Sequence, residues 1–271
     1  MIMNTKTAAE VWRNIGMMGA YSPAMSNRPA VMNIEQVLGK KGLSFAIDSH
    51  GSRMFKNGKF ADTNSVLADI LCTDFRRKER LLSAIRWLLT LPHCRGNIFC
   101  TDIDLSRQET ERHIEQLCRQ GLIINYTPVR EGYKDGYTVT VNPQAKDFIN
   151  KEFAQLYLAN YIRRNIQVDE LYYNVTLKDV NTQKTYKIDL IYRTGRSVHF
   201  VLACLNPKLM DRPELLERLK VSADRLRSNV SIVTSPSIEP QMLRTIMRFN
   251  TASNTRDVSV IKLDQLQHLP R

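Results

Sequence analysis

Apolar residues recur at helical spacing, alternate at strand spacing and break off at turn residues in an order that divides the chain into three stretches. In the first, Ala8, Val11, Trp12 and Ile15 share one face of a helix over Thr7–Met18. Residues 20–33 are rich in Pro, Ser and Asn and read as a loop. Residues 43–60 read as short strands joined by glycine-containing turns. In the second stretch, Leu81, Leu82, Ile85, Leu88 and Leu89 predict a helix over 73–91, which Pro92 ends. Ser106 and Glu109 then form S-x-x-E, the pattern in which a hydroxyl and a carboxylate satisfy each other's backbone N–H at a helix start. That helix turns Ile114 and Leu117 inward and closes at Gly121, which suits the left-handed residue after a helix. Two strand-like runs follow, Leu122–Val129 and Tyr137–Val141, joined by the turn-rich Arg130–Gly136.

Phe148, Ile149, Phe153, Leu156, Tyr157 and Ile162 mark the apolar face of a connecting helix from about Pro143 to Ile166. The third stretch reads as an α/β unit. Its strands are Leu171–Lys178, Thr185–Tyr192 and Ser197–Cys204, then Val230–Val233 and Val258–Leu263. Helices are expected from Asp211 to about Arg227 and over 239–249. The nearly unbroken apolar run of the third strand suits a central, buried position. The expected organisation is therefore an N-terminal extension or small subdomain at 1–72, a domain at 73–145, a connecting helix at 146–166 and an α/β domain at 167–271.

Helix, short helix, capped helix, Gly-Leu-Ile exit and basic-tipped hairpin is an order that resembles the winged helix-turn-helix family, over about residues 73–145. The stretch LSRQETERHIEQLCRQGLI carries the resemblance. It implies that the capped helix enters the DNA major groove and that the hairpin tip lies on phosphate or in the minor groove. The implied contacts are Arg107, Gln108, Thr110, Glu111 and Arg112 on the helix, with Arg130 and Lys134 on the wing. Arginine pairs bidentately with guanine and glutamine with adenine, so these residue types suit base readout. Glu111 and Glu115 leave the helix close to neutral. Winged helices also serve as protein-interaction modules, and that alternative stays open.

The third stretch, in the order helix, three strands, helix, strand, resembles the core of the restriction-endonuclease-like, or PD-(D/E)xK, fold. YKIDLIYRTGRSVHFVLACLNPK looks like its central hairpin. In active members the second strand carries an Asp and the third Glu-x-Lys; the carboxylates bind a divalent metal and the lysine orients or activates the attacking water. Asp189 matches the Asp, but Ala203, Cys204 and Leu205 stand at Glu-x-Lys, and no Asp or Glu occurs between Asp189 and Asp211. A lone carboxylate does not build a hard-metal site of the usual kind. The resemblance thus implies the fold without its activity: no catalytic residue, no metal, no cofactor, and Asp189 in a structural role. Glu152 and Glu170 keep an altered site open. The expected fold class is a multidomain α+β or α/β chain, a winged helix-turn-helix plus a mixed-sheet restriction-endonuclease-like α/β domain.

Charge adds a partner to this picture. The 271 residues carry a formal +12, with a pI of about 9.6, which points to a polyanion and first to double-stranded DNA. The three stretches, divided at 72 and 166, carry +3, +4 and +5, so no tail holds the excess. Five irregularly spaced cysteines without a secretory leader predict reduced thiols in a cytoplasmic protein. His93, Cys94, Cys100, His113 and Cys118 lack the local C-x-x-C and H-x-x-x-H pairs of a structural zinc site. No apolar run reaches the roughly 18–20 residues that a membrane helix needs. Phosphate-loop, dinucleotide, zinc-protease and serine-hydrolase motifs are absent from the sequence. The function these features predict is a non-enzymatic DNA-binding protein, a transcriptional regulator of a bacterium or mobile element, with a homodimer or protein partner left open. The alternatives are a metal-dependent nuclease or a transposition or defence-complex subunit, and a protein-interaction scaffold.

Overall fold

The computed structural model describes residues 32–47, 60–205, 228–235, 239–253 and 258–271, with residues 215, 218–221 and 237. The helix expected at Thr7–Met18, most of the loop at 20–33 and the turns after residue 47 lie outside these residues, as does most of the helix expected from Asp211.

A short helix, α1 (Ile34–Gly39), opens the described chain; Asn33 caps it and Gln36 reaches back to the cap N–H. Strand β1 (Leu43–Ile47) follows, then α2 (Phe60–Cys72) and α3 (Phe75–Leu88). Lys78 locks these two helices together. Its buried ammonium donates to the carbonyls of Ile70 at 2.6 Å and Thr73 at 2.8 Å, a cation placed on the negative end of α2. Strand β2 (Arg95–Phe99), the one-turn α4 (Cys100–Ile103) and α5 (Arg107–Arg119) come next. Strands β3 (Ile123–Glu131) and β4 (Lys134–Val141) close a three-stranded antiparallel sheet in the order β2-β4-β3. β3 is an edge, which is where Pro128 costs no ladder hydrogen bond. Gly136 faces Phe99 across the sheet, and a Cβ there would lie 2.4 Å from the Ile98 carbonyl oxygen, so only glycine fits.

A π-helical turn, Phe148–Glu152, leads into α6 (Phe153–Asn165). The second sheet is built from β5 (Glu170–Asp179), β6 (Thr185–Thr194), β7 (Ser197–Cys204), β8 (Asn229–Thr234) and, after α7 (Glu239–Ser253), β9 (Val258–Lys262). Its order is β1-β5-β6-β7-β8-β9: antiparallel from β1 to β7, parallel from β7 to β9. The mixed sheet and the helices of an α+β chain are therefore present.

Two apolar layers hold this sheet. On one face Leu190, Val201 and Val233 pack with Phe153, Leu158 and Ile162 of α6, in a core that continues through Ile85 and Leu82 of α3 to Ile114, Tyr137 and Val139. On the other, Ile188, Phe200 and Ile232 pack with Ile34 and Leu38 of α1, Leu215 and Leu219 of the β7–β8 crossover, and Met242 and Ile246 of α7. Residues 32–271 accordingly form one compact unit. In the described part of 1–72, which the sequence left open as an extension or small subdomain, β1 pairs with β5 from Leu43–Asp179 to Ile47–Val175, and α2 packs on the common core. The chain division expected at 72 falls between two helices that share Lys78.

Candidate functional site

Two places gather charged side chains on a rigid frame. The first is the start of α5. Ser106 accepts the Glu109 N–H at 3.2 Å and donates to the Glu109 carboxylate at 2.7 Å, while that carboxylate accepts the Ser106 N–H at 3.1 Å. These bonds hold the Glu109 carboxyl below the usual carboxylate range. The far end closes through Gly121 at φ 74°, with Leu122 N–H bonded to the Leu117 carbonyl at 3.0 Å and Gly121 N–H to that of Cys118 at 2.9 Å.

With both ends fixed, the faces of α5 are fixed too. His113, Ile114 and Leu117 face the core. Arg107, Gln108 and Arg112 are exposed together. Thr110 does not join them. It is fully buried and its hydroxyl donates to the Ser106 carbonyl at 2.9 Å, so the expected groove contact is replaced by a packing role. The acidic residues that made the helix look neutral are accounted for by direction. Glu115 accepts from the Tyr126 hydroxyl of β3 at 3.4 Å and lies 3.7 Å from Arg119. Glu111 lies by Tyr126 and Tyr137, and Arg107 lies by Tyr137 beside it. Two arginines that the sequence reading passed over, Arg77 and Arg80 in the run Arg76-Arg77-Lys78-Glu79-Arg80, border this face from α3. They lie 3.8 Å from Glu109 and 3.6 Å from Asp104.

The hairpin tip carries Arg130, Tyr133 and Lys134. Arg130 lies 3.7 Å from Asp135. Lys134 lies 3.0 Å from Asp102 of α4 and 5.6 Å from the Phe99 ring centre. Tyr133, next to Gly132 at φ 60°, is 84% exposed. Exposed ion pairs of this kind contribute about 0–1 kcal/mol.

The second place surrounds Asp189 on β6. The side chain is buried, and both oxygens are engaged. Gln155 of α6 donates to Oδ1 at 2.5 Å and the Ala203 N–H of β7 donates to Oδ2 at 3.0 Å. Lys151, one turn before Gln155 and within the π-helical turn, places Nζ 3.8 Å from Oδ1. Arg218, from the β7–β8 crossover, places Nη1 3.7 Å from Oδ2. Burial lowers the Lys151 pKa, with Arg218 and Lys187 pushing the same way and Asp189 opposing. The Cys204 thiol beside them is pushed up to about 12, by burial first and then by Asp189. Glu152 is half-buried and its carboxyl is raised by burial. Glu170, the other carboxylate held open for an altered site, is used elsewhere: it accepts from Arg193 at 2.7 Å and from the Ile34 N–H at 3.1 Å.

Among the described residues, the arrangement at Asp189 does not suit a divalent metal: the Asp189 oxygens accept two hydrogen bonds and two cations flank them. Among the described residues, no group of three or more His, Cys, Asp or Glu is placed to hold a metal, which includes the cysteine–histidine set considered for zinc. No helix among them is long and apolar enough to cross a membrane. His199 on β7 is a core residue, stacked on Tyr192 at 4.8 Å with its Nε2 3.0 Å from the Thr194 hydroxyl.

No protein-family model matches the chain, and no curated protein matches its sequence. Among solved structures it is similar to protein VC1899 from Vibrio cholerae, with a TM-score of 0.55 and 14% identity, covering 90% of this chain and 62% of that one. It is also similar to Can2 from Sulfobacillus thermosulfidooxidans in complex with cyclic tetra-adenylate, with a TM-score of 0.53 and 13% identity, covering 88% of this chain and 58% of that one. The chain spans about three fifths of the length of each. At these identities the likeness is one of fold.

Proposed function

We propose that the protein binds nucleic acid without cutting it, with residues 73–145 acting as a winged helix on duplex DNA and the six-stranded sheet serving as a nuclease-like but non-catalytic platform. The helix–strand–helix–helix–hairpin order of α3, β2, α4, α5, β3 and β4 supports the winged-helix reading. The observation that carries the DNA contact is the exposure of Arg107, Gln108 and Arg112 on α5, with Glu109 held by the cap and Glu115 by Tyr126; Arg107 also lies by Tyr137, beside Glu111. Arg107 and Gln108 sit in the first turn, where recognition helices place the side chains that reach base edges. Transcriptional regulation is the use that needs no more than this binding. Retention of duplex DNA by the protein, with an affinity that falls steeply with salt, tests the reading; duplex that stays unbound at low salt would sink it.

The non-catalytic part of the reading rests on Asp189, at whose oxygens the described residues place two cations. A second reading is favoured by the likeness to Can2, whose structure holds cyclic tetra-adenylate. In it the chain belongs to a nucleic-acid-directed complex that responds to such a nucleotide. Titration with cyclic tetra-adenylate separates the two, because the first reading expects no heat of binding at micromolar protein.

A further inference from the structure

Among the described residues, the cations around Asp189 exceed what one carboxylate needs. A buried carboxylate must be hydrogen-bonded or paired, and Gln155 and the Ala203 N–H already supply a bond to each oxygen. Lys151 and Arg218 stand at 3.8 and 3.7 Å, beyond the roughly 2.7–3.2 Å of an N–H···O hydrogen bond, so Asp189 orients them without using up their donors. Among the described residues neither has another hydrogen-bond or ion-pair partner. Both retain solvent access, at 35% and 22% of the side-chain surface. The cluster lies where the sheet passes from antiparallel to parallel. Lys151 comes from the layer on one face and Arg218 from the crossover on the other, beside β7, the strand at which the sheet changes direction. A π-helical turn, the feature that carries Lys151, is a distortion found disproportionately at functional sites.

We propose that Lys151 and Arg218, oriented by Asp189, form a metal-independent site for a phosphodiester group of a nucleic-acid strand. The ammonium supplies a point charge and the guanidinium a planar fork that matches two phosphate oxygens. The two cations take the electrostatic part that a divalent ion plays where a second carboxylate is present, and the site holds the phosphodiester without breaking it. A nucleic-acid strand is the occupant because the same chain carries the exposed arginine face of α5 and a net charge of +12. The proposal rests on the nucleic-acid reading above but names a different surface, so the two fail separately.

The experiment measures fluorescence anisotropy of end-labelled tetradeoxythymidylate at low salt in EDTA, with the full chain. This probe is too short to fill a duplex site on α5. Binding without divalent metal is expected, weakened about tenfold or more by Lys151→Met and by Arg218→Gln, the loss of one charge-assisted contact each, and restored by Lys151→Arg. Lys151 is partly exposed, so its substitution leaves a folded chain even if Arg218→Gln does not. Absence of binding, a requirement for magnesium, or equal binding by wild type and Lys151→Met would each overturn the site. Inorganic phosphate binding as tightly as the oligonucleotide would overturn the assignment to a strand. Failure of the wild-type chain to bind duplex, with oligonucleotide binding retained, would remove the α5 reading and leave this site standing.

Discussion

Ser106 is one hydroxyl that both caps α5 and holds Glu109 in place, so Ser106→Ala should cost about 1 kcal/mol of stability, read as a lower denaturant midpoint. Gly136→Ala is expected to cost more, about 1–3 kcal/mol, because the new methyl meets the backbone of Ile98 and Phe99 instead of a yielding side chain. An unchanged midpoint would mean that β2 and β4 do not approach as described. His199 sets a pH dependence. Burial lowers its pKa below the ordinary value of about 6.5, so the folded chain holds it neutral while the unfolded chain takes up a proton first. Stability is therefore full above about pH 6.5 and declines as pH falls through the unfolded-state pKa towards the lower folded one. His113, also lowered by burial, acts in the same direction. Unfolding midpoints at pH 7.5 and 5.5 should differ in the wild type and differ less in His199→Gln; identical differences in the two proteins would contradict this.

Helix α5 concentrates the functional claim at the level of an element. Arg107→Ala with Arg112→Ala should weaken duplex binding and blur its sequence preference while leaving the unfolding midpoint within error, since both side chains are exposed. Lys134→Ala should lower affinity for all sequences alike and reduce the salt slope by about one. The effect is read after subtraction of any change from losing the Asp102 contact. This helix is also where the sequence was most readable. Ser106, Glu109 and Gly121 announce both ends through local chemistry, and the apolar period of Ile114 and Leu117 gives the buried face. Thr110 escaped that reading because its hydroxyl has a partner four residues back along the backbone, which a list of groove-compatible residue types does not reveal. Helix α2 escaped it for another reason. Leu67, Ala68 and Leu71 are its buried stripe, but they are few and lie among polar residues, and the helix is held by Lys78 from the next element. Strand β2 is too short, and Gly96 and Asn97 too polar, to stand out before Ile98 meets its partner strand.

Across the whole molecule, β5, β6 and β7 of the large sheet were legible as strands because they are long, alternating or continuously apolar, and joined by short turns. The membership of β1 was not. It is separated from β5 by more than a hundred residues, and pairing at that range leaves no local trace in sequence. The same holds for the Asp189 cluster. Its carboxylate could be singled out, but Lys151, Gln155 and Arg218 come from separate elements and meet only in the folded chain. The molecule joins these parts tightly. The core of α3 and α5 runs without a break into the sheet through α6, and Glu79 of α3 accepts hydrogen bonds from Ser235 and Ser237 beyond β8. The helical face and the sheet thus share one rigid frame, which suits a strand or duplex touching both.

Binding and cleavage of an unbiased pool of duplex DNA, followed together across salt with and without magnesium or manganese, tests the central claim most directly. Duplex should be retained with an affinity that falls steeply with salt, independently of the metal and with every strand left intact. Metal-dependent cleavage that Asp189→Ala abolishes would contradict it.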